Sequence, residues 1–462
     1  MNIKLLDKYK NKKVLIVGLG SAAFSYISVF KELHCSIKIT DIRHIFDLNK
    51  EIKKLKKLLP DYDGSFGEYK KKDFLEADLI IYNSKVDTNL KELTEARKAE
   101  KECYDEFSFP LKFLKQNLIL VCGSYGQTTI VQMIDFALKK ENIKVFSGGD
   151  SNNPLINYFL EEEKAELLVL EVSPWNLKNL EKINAQIIIY PNAGDNYKNF
   201  GCNNISEFMN LLFKPTKLSS KKTKYILNYS ELHNHPYIKD IPGEKYWYTR
   251  KSKDILKDEN FQGVSFENRK IYGSFYGDHS FLVNETLVQG KESKENLLAA
   301  ITCCMCLSLS KETIEYLINF FPGISHRLEF VALKNKVYFF NHSKAEDMIE
   351  FTRAIQSMTG PLIVIAGGKE VEEDYSKFGE VLKNKVRTLI LVGESKEIMN
   401  RYLSQYVESC FLVGSFDESV LIAYQKAKSG DKILLCPGCP STDNFRDYDE
   451  KGKYYKKLIT QL

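Results

Sequence analysis

No apolar stretch in this chain approaches the ~20 residues that span a bilayer. The first residues, Met1 to Lys13, are lysine-rich and lack the apolar core of a secretory signal. The expectation is a cytoplasmic protein with no membrane insertion. A strong charge of either sign is also missing. Against 61 acidic residues stand 66 basic ones, so the many lysines read as solvated surface and not as a track for nucleic acid. The ten cysteines lack the close spacing of a small disulfide scaffold and suit reduced thiols. Cys303, Cys304 and Cys306 fall on an apolar helical stretch, as core residues do. Cys436 and Cys439 have CxxC spacing but no second pair nearby, which reads as a strand-end loop and not a zinc site. Internal repeats and low-complexity tracts are absent too.

What the chain has instead is an alternation of short apolar runs and helical stretches. That is the pattern of α/β domains on mainly parallel sheets. Its 462 residues leave room for about three such domains. The first opens with a strand over 13–19, the glycine turn Gly18-Leu19-Gly20, a helix over about 22–33 and a second strand over 36–40 ending at Asp41. An acidic residue about 20 positions after the glycines suits a βαβ opening. Ala23 occupies the third glycine position, so the pattern supports a Rossmann-like domain more than a dinucleotide.

The second unit carries the most specific signal. The apolar run Leu118 to Cys122 leads into Gly123-Ser124-Tyr125-Gly126-Gln127-Thr128-Thr129, and an amphipathic stretch from Ile130 to Lys140 follows. A strand, a glycine turn and a helix in this order cradle a nucleotide phosphate with backbone N–H groups. In such a loop a lysine reaches the β- and γ-phosphates and a hydroxyl holds Mg²⁺. Thr128 keeps the hydroxyl; Gln127 stands in the lysine's place. Further strands are expected over 167–171 and 185–190. Glu171 ends the former, where a carboxylate is seldom mere surface. Residues 218–280 read as a small β-rich insertion or edge sheet, followed by helices over about 292–307 and 310–320. A third unit begins near Gly323, with strands over 336–340, 361–365, 388–391 and 432–435.

Nine short motifs fall in one order along the chain. They are Gly18-Leu19-Gly20, Asp41-Ile42-Arg43, the phosphate loop, and Leu170 to Leu177. Then come Asn296 before Ala299-Ala300, Gly323 to Glu329, Asn341 to Ala345, Gly367-Gly368, and Pro437 to Phe445. By these the chain resembles the Mur ligases over nearly its full length, in their D-glutamate-adding branch. The resemblance implies a three-domain α/β architecture. A Rossmann-like N-terminal domain over 1–105 would hold a UDP-sugar. A central P-loop ATPase-like domain over 106–323 would hold ATP, and a C-terminal Rossmann-like domain over 324–462 the amino acid. It also implies the reaction. ATP, with Mg²⁺, phosphorylates the carboxylate of UDP-N-acetylmuramoyl-L-alanine, and the amine of D-glutamate displaces the phosphate. Gly18, Leu19, Asp41, Arg43 and Ser173 would bind the UDP-sugar. Gly123, Gly126, Gln127, Thr128, Thr129, Asn296 and Arg327 would bind ATP. Thr128 and Glu171 would hold the metal, with Lys344 near the phosphates as a catalytic cation. Ser441 and Tyr448 would meet the D-glutamate carboxylate. The branch implies a monomer. Two residues keep a plainer alternative: Asp41 as a cap for the next segment, and Arg327 as a partner of Glu329. His326 reads as structural.

The departures from the family pattern gather at the reaction centre. Besides Gln127, Asn196 stands where the family has a metal-binding histidine. The stretch Phe208 to Phe213 lacks the family's modified lysine, and Lys214 is displaced by two or three residues. His342 replaces an aspartate. Val371 replaces a glutamate-binding lysine, with Lys369 close by. Asn83-Ser84-Lys85 replaces a Ser-Pro-Gly run. Three readings therefore stay open. One is a working ligase in which Lys344, Lys369 or Lys214 restores charge. Another is a non-catalytic homologue that binds nucleotide sugar or ATP as a scaffold or regulator of envelope synthesis. The third is an amide ligase with a changed substrate.

Overall fold

The computed structural model describes residues 2–150, 152–194, 197–233, 235–258, 261–274, 279–283 and 291–462. The chain divides into two compact units, one of residues 1–281 with 298–314 and the other of residues 282–297 with 315–462. The first unit opens on a five-stranded sheet of β1 (Lys13–Val17), β2 (Ser36–Asp41), β3 (Asp63–Phe66), β4 (Leu79–Tyr82) and β5 (Glu102–Asp105). Its order is β3-β2-β1-β4-β5, with every neighbouring pair parallel. The strand order reverses at β1, so the Gly18 turn and Asp41 lie at the carboxyl ends of adjacent strands. That is where open α/β sheets bind ligands.

The second sheet runs through β6 (Asn117–Cys122), β7 (Val145–Gly148), β8 (Leu167–Val172), β9 (Ala185–Tyr190), β10 (Lys224–Asn228), β11 (Glu244–Thr249), β12 (Gly263–Glu267), β13 (Lys270–Gly273) and β14 (His279–Leu282). Its order is β14-β13-β12-β11-β10-β9-β6-β8-β7. Central β6, β8 and β9 are almost wholly apolar because helices cover a parallel sheet on both faces. The helix Gln127–Lys140 buries Ile130, Val131, Ile134, Ala137 and Leu138, a stripe at helical spacing that fixes it beside β6. Residues 218–280, read as a small β-rich insertion or an edge sheet, form the outer part of this sheet. Here β10, β11 and β12 continue the central sheet in parallel, and the turn to antiparallel comes only at β12 on β13. Their half-polar composition reflects a sheet running out towards its edge.

A cluster of rings ties the link between these two sheets. Phe109 lies 5.3 Å from both Tyr9 and Phe113, and 6.1 Å from Tyr26. Phe113 in turn meets Phe159 edge-on. Such pairs add to the apolar area already buried.

The second unit holds a six-stranded sheet of β15 (Glu329–Lys334), β16 (Val337–Asn341), β17 (Leu362–Ala366), β18 (Val386–Leu391), β19 (Ser409–Leu412) and β20 (Lys432–Leu435), ordered β15-β16-β20-β17-β18-β19. Only β15 on β16 is antiparallel. Asn335 and Lys336, at φ 50° and 63°, form the two-residue left-handed turn that joins them. All ten cysteines are free. Cys436 and Cys439 are buried just after β20, and Cys439 packs on Tyr375 and Met399. Among the described residues no group of three metal-ligating side chains gathers, and no helix is long and apolar enough to cross a membrane.

One buried ion pair locks the far side of this sheet. Arg387 Nη2 donates to Asp431 Oδ2 at 2.6 Å, and the Lys428 N–H donates to the same oxygen. Asp431→Ala leaves the guanidinium unpaired. It should cost this unit about 3–5 kcal/mol, read as a lower urea midpoint.

Candidate active site

The phosphate loop sits where the sequence places it, between β6 and the helix Gln127–Lys140. Gly126 takes φ 87°, a left-handed conformation that a side chain would strain. Gly123 is needed for closeness, since a Cβ there would lie 2.9 Å from Pro191 Cγ. From the next strand, Glu171 reaches the loop: Thr128 Oγ1 donates to Glu171 Oε2 at 2.7 Å. The hydroxyl and the carboxylate expected at the metal are therefore side by side. Two hard oxygen ligands on separate elements, beside a loop of backbone N–H groups, fit a magnesium–nucleotide.

Gln127 behaves unlike the lysine it replaces. Its side chain is buried and its Nε2 donates to the Gly123 carbonyl inside the loop. It braces the loop and adds no charge. A second brace comes from Asn192, which sequence reasoning passed over. Its Oδ1 accepts from the Ser124 N–H at 2.9 Å and its Nδ2 donates to the Tyr125 carbonyl at 2.7 Å. Ser124 Oγ donates to the Ala193 carbonyl. Thr129 is half-buried on the same helix. Lys214 does not restore the missing charge: its Nζ donates to the Lys178 carbonyl at 2.7 Å, and burial pushes its pKa down. Asn196 lies outside the described residues.

In the first sheet, Gly18, Leu19, Asp41 and Arg43 are brought together. Asp41 accepts from the Leu19 N–H at 2.7 Å and from the Arg43 N–H at 2.9 Å, and its Oδ2 pairs with Arg43 Nη2 at 2.7 Å. Asp41 thus caps its own turn and fixes the glycine turn as well. Burial alone would raise its pKa; the Arg43 guanidinium and the N–H donors outweigh that and hold it below the usual carboxylate range. Beside it, Asn83 Nδ2 donates to both oxygens of Glu106, and the Ser84 N–H adds a third bond. Burial still pushes Glu106 up to about 7. No motif in the sequence singles out this carboxyl. Ser173 spends its hydroxyl on Asn176 Oδ1 at 2.7 Å, capping the short helix Pro174–Leu177.

Asn296, Arg327, Lys344, Ser441 and Tyr448 belong to the second unit. Asn296 is half-buried on the helix Lys291–Cys306, and Arg327 is exposed. Glu329 is not Arg327's partner: it accepts from Lys456 Nζ at 2.8 Å, Asn341 Nδ2 at 2.9 Å and the His326 N–H at 3.0 Å. His326 bridges Ser343 Oγ at 2.9 Å and Asp449 Oδ1 at 3.2 Å. The order resembles a nucleophile-activating relay, but Ser343 is wholly buried, so the relay positions the chain and does not attack. What it positions is Lys344, whose N–H donates to the His326 carbonyl and whose Nζ lies 5.4 Å from the Tyr448 ring. His342 Nδ1 accepts from the Leu328 N–H at 3.0 Å. Burial, with Arg327's charge behind it, pushes His342 down to about 4. The ring is neutral at pH 7, so no negative charge remains in the aspartate's place.

Two outcomes follow. Asn192→Ala strands one donor and one acceptor of the loop and should weaken nucleotide affinity about tenfold by equilibrium titration. His342 titrates near 4 when folded and near 6.5 when unfolded, so as pH falls the unfolded chain takes up the proton first. Stability should therefore be full above about 6.5 and fall by up to about 3 kcal/mol towards pH 4. His342→Asn should flatten that part of a urea-denaturation pH profile.

Residues 12–105 match the family model described as Mur ligase MurD-like, N-terminal domain. Residues 326–439 match the model described as Mur ligase, glutamate ligase domain. The chain is 32% identical over 461 residues to UDP-N-acetylmuramoylalanine–D-glutamate ligase of Bdellovibrio bacteriovorus, with 98% of each chain covered. It is 29% identical to the ligase of that name from Thermoanaerobacter pseudethanolicus, over 98% of this chain and 99% of the other. Among solved structures, UDP-N-acetylmuramate-alanine ligase MurC of Thermotoga maritima superposes with a TM-score of 0.57 at 14% identity, covering 97% of this chain and 99% of that one, a likeness of fold. With the phosphate loop, the Asp41 turn and the Lys344 segment in place, the chain belongs to the Mur ligase family of peptidoglycan biosynthesis.

Proposed function

We propose that the chain is an ATP-dependent ligase that joins D-glutamate to UDP-N-acetylmuramoyl-L-alanine, working as a cytoplasmic monomer. The observation that carries this is the 2.7 Å contact of Thr128 with Glu171 beside the Gly126 turn. A scaffold that merely retained its fold has no need of a hydroxyl–carboxylate pair at that point. Relatives bearing the ligase name align along the whole chain and support the substrates.

Bound ATP would supply the activation of the carboxylate. The chain's own residues do the rest. Backbone N–H groups of Gly126 to Thr129 face the phosphates without needing to reorganise as charge builds. Thr128 and Glu171 would hold Mg²⁺, and Asn192 braces the loop at Ser124 and Tyr125. Gln127 leaves the phosphates one fixed cation short, and the resemblance gives Lys344 as the catalytic cation. Asp41 and Arg43 hold the uridine end, and Ser441 and Tyr448 hold the amino acid.

One observation favours a binding-only homologue: the Gln127 side chain is turned to the Gly123 carbonyl and offers phosphate nothing. Phosphate release separates the two. With ATP, Mg²⁺, UDP-N-acetylmuramoyl-L-alanine and D-glutamate, the ligase releases phosphate only when both acceptors are present. In that case Glu171→Ala should lower the rate by ~10²–10³, Lys344→Ala should abolish it, and Gln127→Lys should raise it. No release from the native chain, with an intact family member active in parallel, would sink the ligase reading.

A further inference from the structure

Ser441 is the residue that resemblance sets against the carboxylate of the incoming amino acid. In this structure a carboxylate is already there, and it is the chain's own. The Ser441 N–H donates to Glu346 Oε1 at 2.9 Å. Ser441 is 0% exposed, and among the described residues its Oγ has no hydrogen-bond partner, so the residue is a buried donor set with one group satisfied by Glu346 and one left over. Near it lies Lys451, 2% exposed, whose Nζ donates to the Gly367 carbonyl at 3.3 Å. Asp443 and Glu346 both act on that lysine's charge. One buried cation thus faces two carboxylates before any substrate arrives. The neighbouring turn adds no cation to the buried set, since Val371 is apolar and Lys369 is exposed.

We propose that Glu346 determines specificity in the amino-acid site, by competing within the chain for the Ser441 N–H that the carboxylate of D-glutamate would take. The identity of that ligand rests on the ligase reading above. A tethered carboxylate has a high effective concentration, so a free one must displace it to bind. Displacement also adds a third negative charge to those of Glu346 and Asp443, beside the one buried cation, Lys451. The Glu346 N–H donates to the Lys344 carbonyl at 2.9 Å. The competing residue therefore sits on the same tight turn as Lys344.

The test is calorimetric titration of D-glutamate into the full-length chain, with UDP-N-acetylmuramoyl-L-alanine and a non-hydrolysable ATP analogue present. Glu346→Gln keeps the shape and a weaker neutral acceptor; Glu346→Ala removes the competitor. Both should bind D-glutamate at least about tenfold more tightly than the native chain, because a neutral or absent acceptor yields the N–H more readily. Glu346→Asp should stay near native. D-Norvaline, which lacks the second carboxylate, should gain less than D-glutamate in the same variants. In turnover, the KM for D-glutamate should fall further than kcat changes. Equal or weaker binding by both variants, or no binding by any form, would overturn the proposal. Tighter binding without phosphate release keeps it and removes the ligase reading. Release with unchanged affinity removes the proposal alone.

Discussion

The parallel register of β6 on β8 places Val121 opposite Glu171, and the rest of the site depends on that register. It brings the end of one buried strand level with the start of the helix that follows the other. Thr128 and Glu171, 43 residues apart in sequence, then meet at 2.7 Å. A slip of one residue would turn Glu171 to the opposite face of the sheet. The dense apolar packing of β6, β8 and β9 pays for holding that register and for the left-handed turn at Gly126.

Each of the two units economises on fixed charge. The loop lysine is a buried amide, and the aspartate position is an imidazole kept neutral by burial. Lys214 is given over to a backbone carbonyl. The charges that remain are paired at close range: Asp41 with Arg43, Glu329 with Lys456, Arg387 with Asp431. Each pair braces a turn that presents a site residue or closes a sheet. In the second unit the backbone at Lys344 is fixed by the network of His326, Ser343, Asn341 and Glu329.

Much of this is legible in sequence where the signal is local. The strand, glycine turn and helix at 117–140 declare themselves by apolar runs and period. So do the Gly18 turn and Asp41 at the end of the next strand; the pairing of Asp41 with Arg43 shows only in the structure. The hairpin of β15 and β16 was only half legible, because Glu329–Lys334 alternates weakly and its turn, Asn335-Lys336, lacks the usual glycine. The strands β10 to β12 left two readings open, an insertion or an edge sheet, since they mix polar residues with apolar ones near an edge. Asn192 and Glu346 were invisible for a different reason. They act on backbone groups 67 and 95 residues away, and an asparagine or glutamate in a loop carries no spacing that announces such a partner. Gln127 was visible as a replacement, but its inward hydrogen bond required the coordinates.

The central claim is that Thr128 and Glu171 form a working metal–nucleotide site despite the missing lysine. Equilibrium binding of ATP, measured with and without Mg²⁺ on the native chain and on Glu171→Gln, tests it most directly. The account predicts binding that strengthens with Mg²⁺ in the native chain and loses that dependence in the variant. ATP binding that ignores both Mg²⁺ and the substitution, or no binding at all, would contradict it.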